Sequence, residues 1–317
     1  MVKNCIITGG SGFMGTNLIT YLHERSISVD AIERNKLHAI VPEHLNSHDT
    51  IVHLAGLAHD LKKSSSATAY YDINFGLTKI LFDAFLASSA KKFIFISSVK
   101  AVADQVSDIL TEDDVPDPQT DYGKSKLMAE KYISKQVLPN DKSVYILRPC
   151  MTHGRGNKGN LNLLFKIISS GLPYPLAAFE NKRSFLSIQN LCFIIKEIID
   201  RDNFPSAIYN VADDEPLSTN KVVSILSASL GKEPKLLKVP QKIIYYLGKI
   251  GTHLNLPLTT ERLNKLTESY VVSNAKIKMA IDKPFPLSSI EGLEVTAAVF
   301  AESRNIPLKP IENTSFR

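Results

Sequence analysis

Tyr122 and Lys126 stand four residues apart in Tyr122-Gly123-Lys124-Ser125-Lys126. On a helix that spacing puts a phenol and an ammonium on one face. A cation so placed stabilises phenolate, and is expected to lower the tyrosine from a pKa of ~10 toward neutrality, where it can exchange a proton with a sugar or alcohol hydroxyl. Ser97-Ser98 directly follow the apolar run 93–96. Singly they would be capping or turn residues; beside the pair they supply a hydroxyl that can bond the reacting oxygen. A second chemistry is written near the start, in Thr8-Gly9-Gly10-Ser11-Gly12-Phe13-Met14-Gly15. Gly9, Gly12 and Gly15 are spaced G-x-x-G-x-x-G between an apolar strand and a helical pattern. Glycines there let the backbone turn sharply and approach a pyrophosphate, with the free N–H groups of a helix start aimed at it. Glu33, closing the next apolar run, is placed to hold the adenosine ribose hydroxyls of such a dinucleotide, whereas Arg34 beside it could accept a 2′-phosphate. NAD is therefore favoured, with NADP the alternative.

These groups need a frame. Apolar runs at residues 2–7, 29–32, 50–54, 93–96 and 144–147 alternate with helical patterns at 12–25, 70–88 and 122–135. The long 70–88 pattern places Ile73, Leu77, Ile80, Leu81, Ala84 and Phe85 at helical spacing. Continuous apolar strands between helices imply a parallel sheet covered on both faces. The expected fold is α/β, a Rossmann-type doubly wound parallel sheet with ligands beyond the carboxyl ends of its strands. After Pro149 the chain becomes loop-rich, with a strand pattern at 207–211 and helical patterns near 221–230, 241–250 and 260–267. Residues 1–150 are expected to form the dinucleotide-binding domain, joined by 184–214. Residues 151–183 and 215–317 are expected to form a smaller substrate-binding lobe.

Composition narrows the partners. A net charge of +5 without any basic block gives no reason to expect nucleic acid. Cys5, Cys150 and Cys192 lie in apolar stretches at unrelated spacings, which suits buried free thiols in a reducing compartment rather than a disulfide framework. No apolar run reaches the ~18 residues of a membrane span. The most membrane-like stretch, 243–258, is broken by Lys249, Gly251 and His253. A cytoplasmic chain without membrane insertion or a metal site is expected.

Taken in order, the glycine turn, Ser97-Ser98 and Tyr122-x-x-x-Lys126 resemble the extended short-chain dehydrogenase/reductase family, in its branch of nucleotide-sugar epimerases, dehydratases and ketoreductases. His53-Leu54-Ala55-Gly56 resembles the family's third-strand motif, continuing through Leu57-Ala58-His59, and Asp72-Ile73-Asn74-Phe75-Gly76-Leu77-Thr78 its asparagine-bearing helix. Arg148-Pro149 through His153-Gly154 resembles its R-P-x-x-x-Y-G region, with His153 in place of tyrosine. Gly159-Asn160-Leu161 and Arg183-Ser184-Phe185-Leu186-Ser187-Ile188 resemble segments that hold a nucleoside diphosphate.

The resemblance implies a catalytic set of Ser98, Tyr122 and Lys126. It implies cofactor contacts from Gly9, Gly12, Phe13, Met14, Gly15, Glu33, Arg34, Leu54, Ala55, Gly56 and Asn74, joined by Tyr122 and Lys126. Substrate contacts are implied for Lys100, Asn160, Leu161 and Arg183. Val99 and Lys100 stand where the dehydratases carry acidic residues, so dehydration is disfavoured. Two departures are visible: the stretch from Glu33 to Ile51 is short, leaving the usual adenine-side strand abbreviated or absent, and His153-Gly154-Arg155-Gly156 makes the sugar pocket more basic. The implied activity is NAD(P)-dependent chemistry at C4 of a UDP-sugar. The motif likeness favours a 4-keto-6-deoxy-N-acetylhexosamine 4-reductase of bacterial surface-polysaccharide synthesis, with 4-epimerase as the alternative enzyme and a non-catalytic dinucleotide sensor less favoured. A homodimer is compatible with this reading.

Overall fold

The computed structural model describes residues 3–57, 66–157, 159–254, 259–304 and 306; Ala58 and His59 of the third-strand motif, and residues 255–258, lie outside them. The first half alternates β1 (Asn4–Thr8), α1 (Phe13–His23), β2 (Ser28–Ile32), β3 (Thr50–His53), α2 (Ala67–Tyr70), α3 (Leu77–Ala87), β4 (Lys92–Ile96), β5 (Ile109–Leu110), α4 (Asp121–Lys135) and β6 (Ser143–Pro149). The second half adds β7 (Met151–His153), α5 (Asn160–Ser169), β8 (Phe185–Ser187), α6 (Ile188–Asp200) and β9 (Ile208–Val211). It ends with α7 (Thr219–Ser229), α8 (Gln241–His253), α9 (Thr260–Thr267), β10 (Val271–Val272), α10 (Ala275–Ile281) and α11 (Ser289–Glu302).

Six strands form one parallel sheet in the order β2-β1-β3-β4-β6-β9, with small pairs β10-β5 and β7-β8 beside it. Side chains alternate across a strand, and the sheet uses both faces. Cys5, Ile7, Val52, Ile94 and Leu147 pack with Leu18 and Leu22 of α1 and Ile194, Ile195 and Ile198 of α6. Ile6, Ile51, Phe93, Phe95 and Ile146 pack on the other side with Leu77, Leu81 and Phe85 of α3 and Ile133 of α4. A third core, built on Phe165, Phe185, Val222, Leu226, Leu293 and Phe300, lies in the second half. All three cysteines are buried and free. Among the described residues no helix is long and apolar enough to cross a membrane.

Two local features depart from the simple pattern. Between Ile32 and Thr50 the chain makes two short 3-10 helices, Arg34–Ala39 and Pro42–Leu45, and β2 is the sheet edge. The adenine-side strand of the family pattern is therefore replaced by helical turns anchored by buried Leu37 and Leu45. The 70–88 pattern is likewise not one α-helix. A π-helical stretch, Tyr71–Gly76, separates α2 from α3. Such wide turns cluster at functional sites because they rotate side chains out of the α-helical register; here Asn74 becomes fully buried.

Candidate active site

The glycine turn is set by contacts that no side chain would allow. Gly9 has φ +75°, and a Cβ on it would come within 2.7 Å of the Ala55 amide nitrogen. A Cβ on Gly15 would meet the Gly9 carbonyl oxygen at 2.3 Å and Gly10 Cα at 2.6 Å. These two residues thus draw the β1 end, the β3 end and the first turn of α1 together. Gly12 is the N-cap of α1, with no side-chain cap and no acid in the first turn. The helix start keeps a partial positive charge and unpaired amides, the arrangement that suits a phosphate. A cavity of about 530 Å³ lies along this turn, lined by Gly9–Gly12, Ala31–Arg34 and Leu54–Gly56. Its shape and donors fit a dinucleotide, with the pyrophosphate at the amides and the exposed Glu33 carboxylate at the far end. Arg34 Nη2 donates to the Gly56 carbonyl at 3.2 Å, tying the β2 side of the cavity to the β3 side. Phe13 and Met14 open α1 and pack partly into the sheet core.

Beneath the turn runs a buried relay whose proton positions follow from its ends. Thr78 Oγ1 donates to the Asn74 carbonyl at 2.7 Å, so toward His53 Nε2, 2.9 Å away, it accepts. His53 therefore carries its proton on Nε2, and Nδ1 accepts from Thr8 Oγ1 at 2.7 Å. Thr8 Oγ1 in turn accepts from the Ala55 amide. Burial, then the charge of Lys126, pulls His53 down to about 3, so the ring is neutral at physiological pH. The relay links β1, β3 and the π-helical stretch through satisfied bonds. Asn74 extends it upward: its side chain accepts from Leu57 N at 2.7 Å and donates to Ser125 Oγ at 3.0 Å. A Cβ on Gly56 would lie 3.0 Å from Asn74 Oδ1 and 3.2 Å from Lys126 Nζ, which gives Gly56 a steric reason.

The proton-transfer set is held between β4 and α4. Ser98 caps a short turn, and its Oγ accepts from the Lys100 amide at 3.2 Å. It also hydrogen-bonds the Tyr122 phenol, which Tyr70 meets edge-on at 6.1 Å. The start of α4 is clamped to the loop after Ser98. Asp104 Oδ2 accepts from the Gln119 and Thr120 amides at 2.8 and 3.2 Å, and Thr120 Oγ1 caps the helix by accepting from Gly123 N. Gly123 lets the two approach, since a Cβ there would be 2.3 Å from the Lys100 carbonyl. Ser97 is different. Its hydroxyl donates to Glu130, which also receives Arg148 Nη2 at 2.6 Å in a buried ion pair. Ser97 is thus part of the frame, and Ser98 alone faces the phenol.

The expected lowering of Tyr122 by Lys126 is corrected by the structure. Burial raises the phenol above its ordinary value; the Ser98 bond opposes that rise, and Tyr70 adds to it. Lys126 Nζ donates to the Ile96 carbonyl at 2.9 Å and sits over the Phe95 ring at 4.9 Å. Burial lowers its ammonium to about 8, with Glu130 one turn later opposing the fall. At neutral pH the pair therefore rests as a neutral phenol beside a cation, a proton donor as it stands and a base only once the phenol has given up its own proton.

The second-half residues occupy varied positions. Lys100 Nζ donates to the Asp104 carbonyl at 2.8 Å and lies 4.1 Å from the centre of the Tyr270 ring, so the side chain is engaged with the α4 clamp. Tyr270 is the link sequence reasoning missed. It also donates to the Ala103 carbonyl, and the backbone beside it pairs with Arg183. Arg183 is thereby linked through Tyr270 to Lys100; burial lowers its guanidinium, with Glu268 and then Tyr174 opposing the fall. Asn160 begins α5 and is exposed, whereas the Leu161 side chain is buried in the second-half core. The Leu161 side chain is thus committed to packing rather than turned toward a ligand. His153 is fully buried. Thr296 Oγ1 donates to the Gly292 carbonyl, so His153 Nδ1–H donates to Thr296 at 2.8 Å. Burial lowers its ring to about 4, which makes it a packed neutral group. Among the described residues no cluster of His, Cys, Asp or Glu could hold a metal ion.

The sequence profile of the NAD dependent epimerase/dehydratase family matches residues 5–212. The chain is 30% identical over 330 aligned residues to a UDP-glucose 4-epimerase of Vibrio cholerae, covering 96% of this chain and 98% of that one. It is 28% identical over 298 residues to an N-acetyl-alpha-D-glucosaminyl-diphospho-ditrans,octacis-undecaprenol 4-epimerase of Escherichia coli O157:H7, covering 88% and 85%. Among solved structures, a UDP-N-acetylglucosamine 4-epimerase from Bacillus cereus superposes with a TM-score of 0.75 at 19% identity, over 94% of this chain and 99% of that chain. That last likeness is one of fold.

Proposed function

The chain belongs to the NAD-dependent epimerase/dehydratase family, and from that premise we propose that it exchanges a proton at O4 and a hydride at C4 of a UDP-sugar, with 4-epimerisation as the net reaction. The observation that carries the chemistry is the hydrogen bond between Ser98 and Tyr122 beside the buried Lys126, whose Nζ would lie 3.2 Å from a Cβ on Gly56 of the glycine-lined cavity. Gly9, Gly12, Phe13, Met14 and Gly15 would cradle the pyrophosphate, Glu33 the adenosine ribose, and Leu54–Gly56 with Asn74 the middle of the cofactor. When bound, NAD would supply the hydride acceptor and donor for C4.

The residues of the chain do the rest. Ser98 accepts from or donates to O4 and fixes it beside Tyr122. Tyr122, in its phenolate form, takes the O4 proton as the ketone forms and returns it as the alcohol is restored. Lys126 holds positive charge beside Tyr122 while the phenol is ionised. Arg183 and the start of α5 at Asn160 would bind the diphosphate of the nucleotide, and a guanidinium suits that task through its bidentate fork. Residues 151–183 and 215–317 would then form the sugar-nucleotide lobe, and the three buried thiols suit a cytoplasmic enzyme.

Epimerisation takes precedence over the ketoreductase expectation because two relatives matched over 85% or more of their length carry 4-epimerase names. Ketoreduction is the second reading, favoured by one observation: the adenine side ends at β2 in short helical turns, an arrangement that favours release of spent cofactor. Proton NMR of UDP-N-acetylglucosamine and UDP-glucose incubated with protein and catalytic NAD separates them. Appearance of the C4 epimer without net cofactor reduction supports the proposal. Stoichiometric NADH loss on a 4-keto-sugar nucleotide without epimerisation establishes the second reading, and inertness toward both overturns the assignment to C4.

A further inference from the structure

Helix α8 presents an apolar stripe outward as well as one inward. Ile244, Gly248 and Gly251 are buried, and Gly248 lets the helix approach α9 at Thr260 and Leu263. Ile243, Tyr246, Leu247, Ile250 and Leu254 recur at i, i+3, i+4, i+7 and i+11, a second continuous row on the solvent side. Tyr246 is 65% exposed, Leu254 60%, Ile243 51% and Leu247 46%. Single exposed leucines need no explanation. A contiguous row of large apolar side chains does, because folded chains keep such patches small unless something covers them.

The charge around the row states what kind of surface that is. Between Glu233 and Glu261 the chain holds Lys235, Lys238, Lys242 and Lys249 and not one Asp or Glu. Lys242 and Lys249 are seven residues apart, so both flank the row from the same side of the helix, and both are exposed. Apolar side chains including an amphipathic tyrosine, edged by lysines without acids, are the pattern of a helix lying in the interfacial plane of an anionic bilayer. A self-complementary pairing of this helix would ask for acids to meet these lysines, and residues 234–260 supply none.

We propose that α8 is a docking surface for anionic membranes, seating the protein peripherally on the bilayer through Ile243, Tyr246, Leu247 and Leu254 with Lys242 and Lys249 at the headgroups. The helix lies in the surface and does not span it. This inference stands apart from the C4 chemistry, since none of its residues belongs to the proposed catalytic or cofactor-binding set.

Vesicle flotation tests it. The full chain is mixed with phosphatidylcholine vesicles that either lack or contain about one third phosphatidylglycerol, at low and high salt. The wild type should float with the anionic vesicles at low salt and stay below with the neutral ones. Leu247→Ser combined with Tyr246→Ser, and separately Lys242→Gln combined with Lys249→Gln, should each lower partitioning roughly ten-fold or more while turnover on a water-soluble sugar nucleotide is unchanged. Wild type that remains unbound on anionic vesicles overturns the proposal. Binding equal in the wild type and both variants does so too, as does a wild-type dimer in light scattering that the Leu247→Ser, Tyr246→Ser variant abolishes.

Discussion

Glu130→Gln is the sharpest perturbation of the frame, because it acts on stability and on titration at once. Glu130 and Arg148 are almost fully buried, with Nη2 to Oε2 at 2.6 Å and a second contact from Nε at 3.0 Å. Arg148 Nη1 already lacks a hydrogen-bond partner among the described residues. Removing the carboxylate leaves an uncompensated guanidinium in the core, a loss of ~3–5 kcal/mol. At ~2–4 °C per kcal/mol, the melting temperature should fall by roughly 6–20 °C. The chain should nevertheless fold, since typical stabilities run to ~5–15 kcal/mol. The second effect has a definite sign. Lys126 loses its proton near 8, and Glu130 is the group that opposes this fall. Without Glu130 the ammonium is lost at lower pH. If turnover needs the charged lysine, the alkaline limb of the pH–rate profile, placed near 8 in the wild type, should move toward neutrality in Glu130→Gln. Differential scanning fluorimetry and turnover across the pH range read both effects. A melting temperature within a degree of wild type, with an unmoved alkaline limb, would falsify the assigned role of the pair.

Three further outcomes follow from the same geometry. Tyr122→Phe keeps the ring against Tyr70 but removes the proton, so turnover should drop by ~10²–10⁴-fold with NAD affinity retained; near-native turnover would place the proton transfer elsewhere. Gly15→Ala drives a methyl to 2.3 Å from the Gly9 carbonyl oxygen, and overpacking of ~1–3 kcal/mol should weaken NAD binding about 5- to 150-fold by calorimetry. Unchanged affinity would show that the turn does not hold the cofactor. Arg183→Ala removes a charge-assisted phosphate bond of ~1.5–3 kcal/mol and should weaken UDP more than ten-fold while leaving NAD unaffected. Equal loss of both ligands would point to a damaged fold.

The parts legible in the sequence are those written in residue type and short spacing. Gly9 and Gly15 must be glycine because backbone meets backbone, and Tyr122 and Lys126 share a face because they are one turn apart. What the sequence hid depends on contacts between distant elements. Ser97 and Ser98 are neighbours, yet adjacent residues leaving a strand point opposite ways, so one meets Glu130 and the other the phenol. The expected lowering of Tyr122 fails because burial, a property of the whole packing, outweighs a neighbour four residues away. The Glu130–Arg148 pair joins α4 to β6 across 18 positions. Its only local trace was an acid one turn after Lys126. Tyr270, which joins Lys100 to Arg183, sits far along the chain in a segment without any motif.

The central claim, that Ser98, Tyr122 and Lys126 serve a reversible oxidation at C4, is tested most directly with a UDP-sugar deuterated at C4. With catalytic NAD, the account predicts that the C4-inverted product keeps its deuterium, because the hydride leaves and returns within one bound complex, and that Tyr122→Phe abolishes inversion. Loss of deuterium to solvent during inversion, or inversion that survives in Tyr122→Phe, would contradict it.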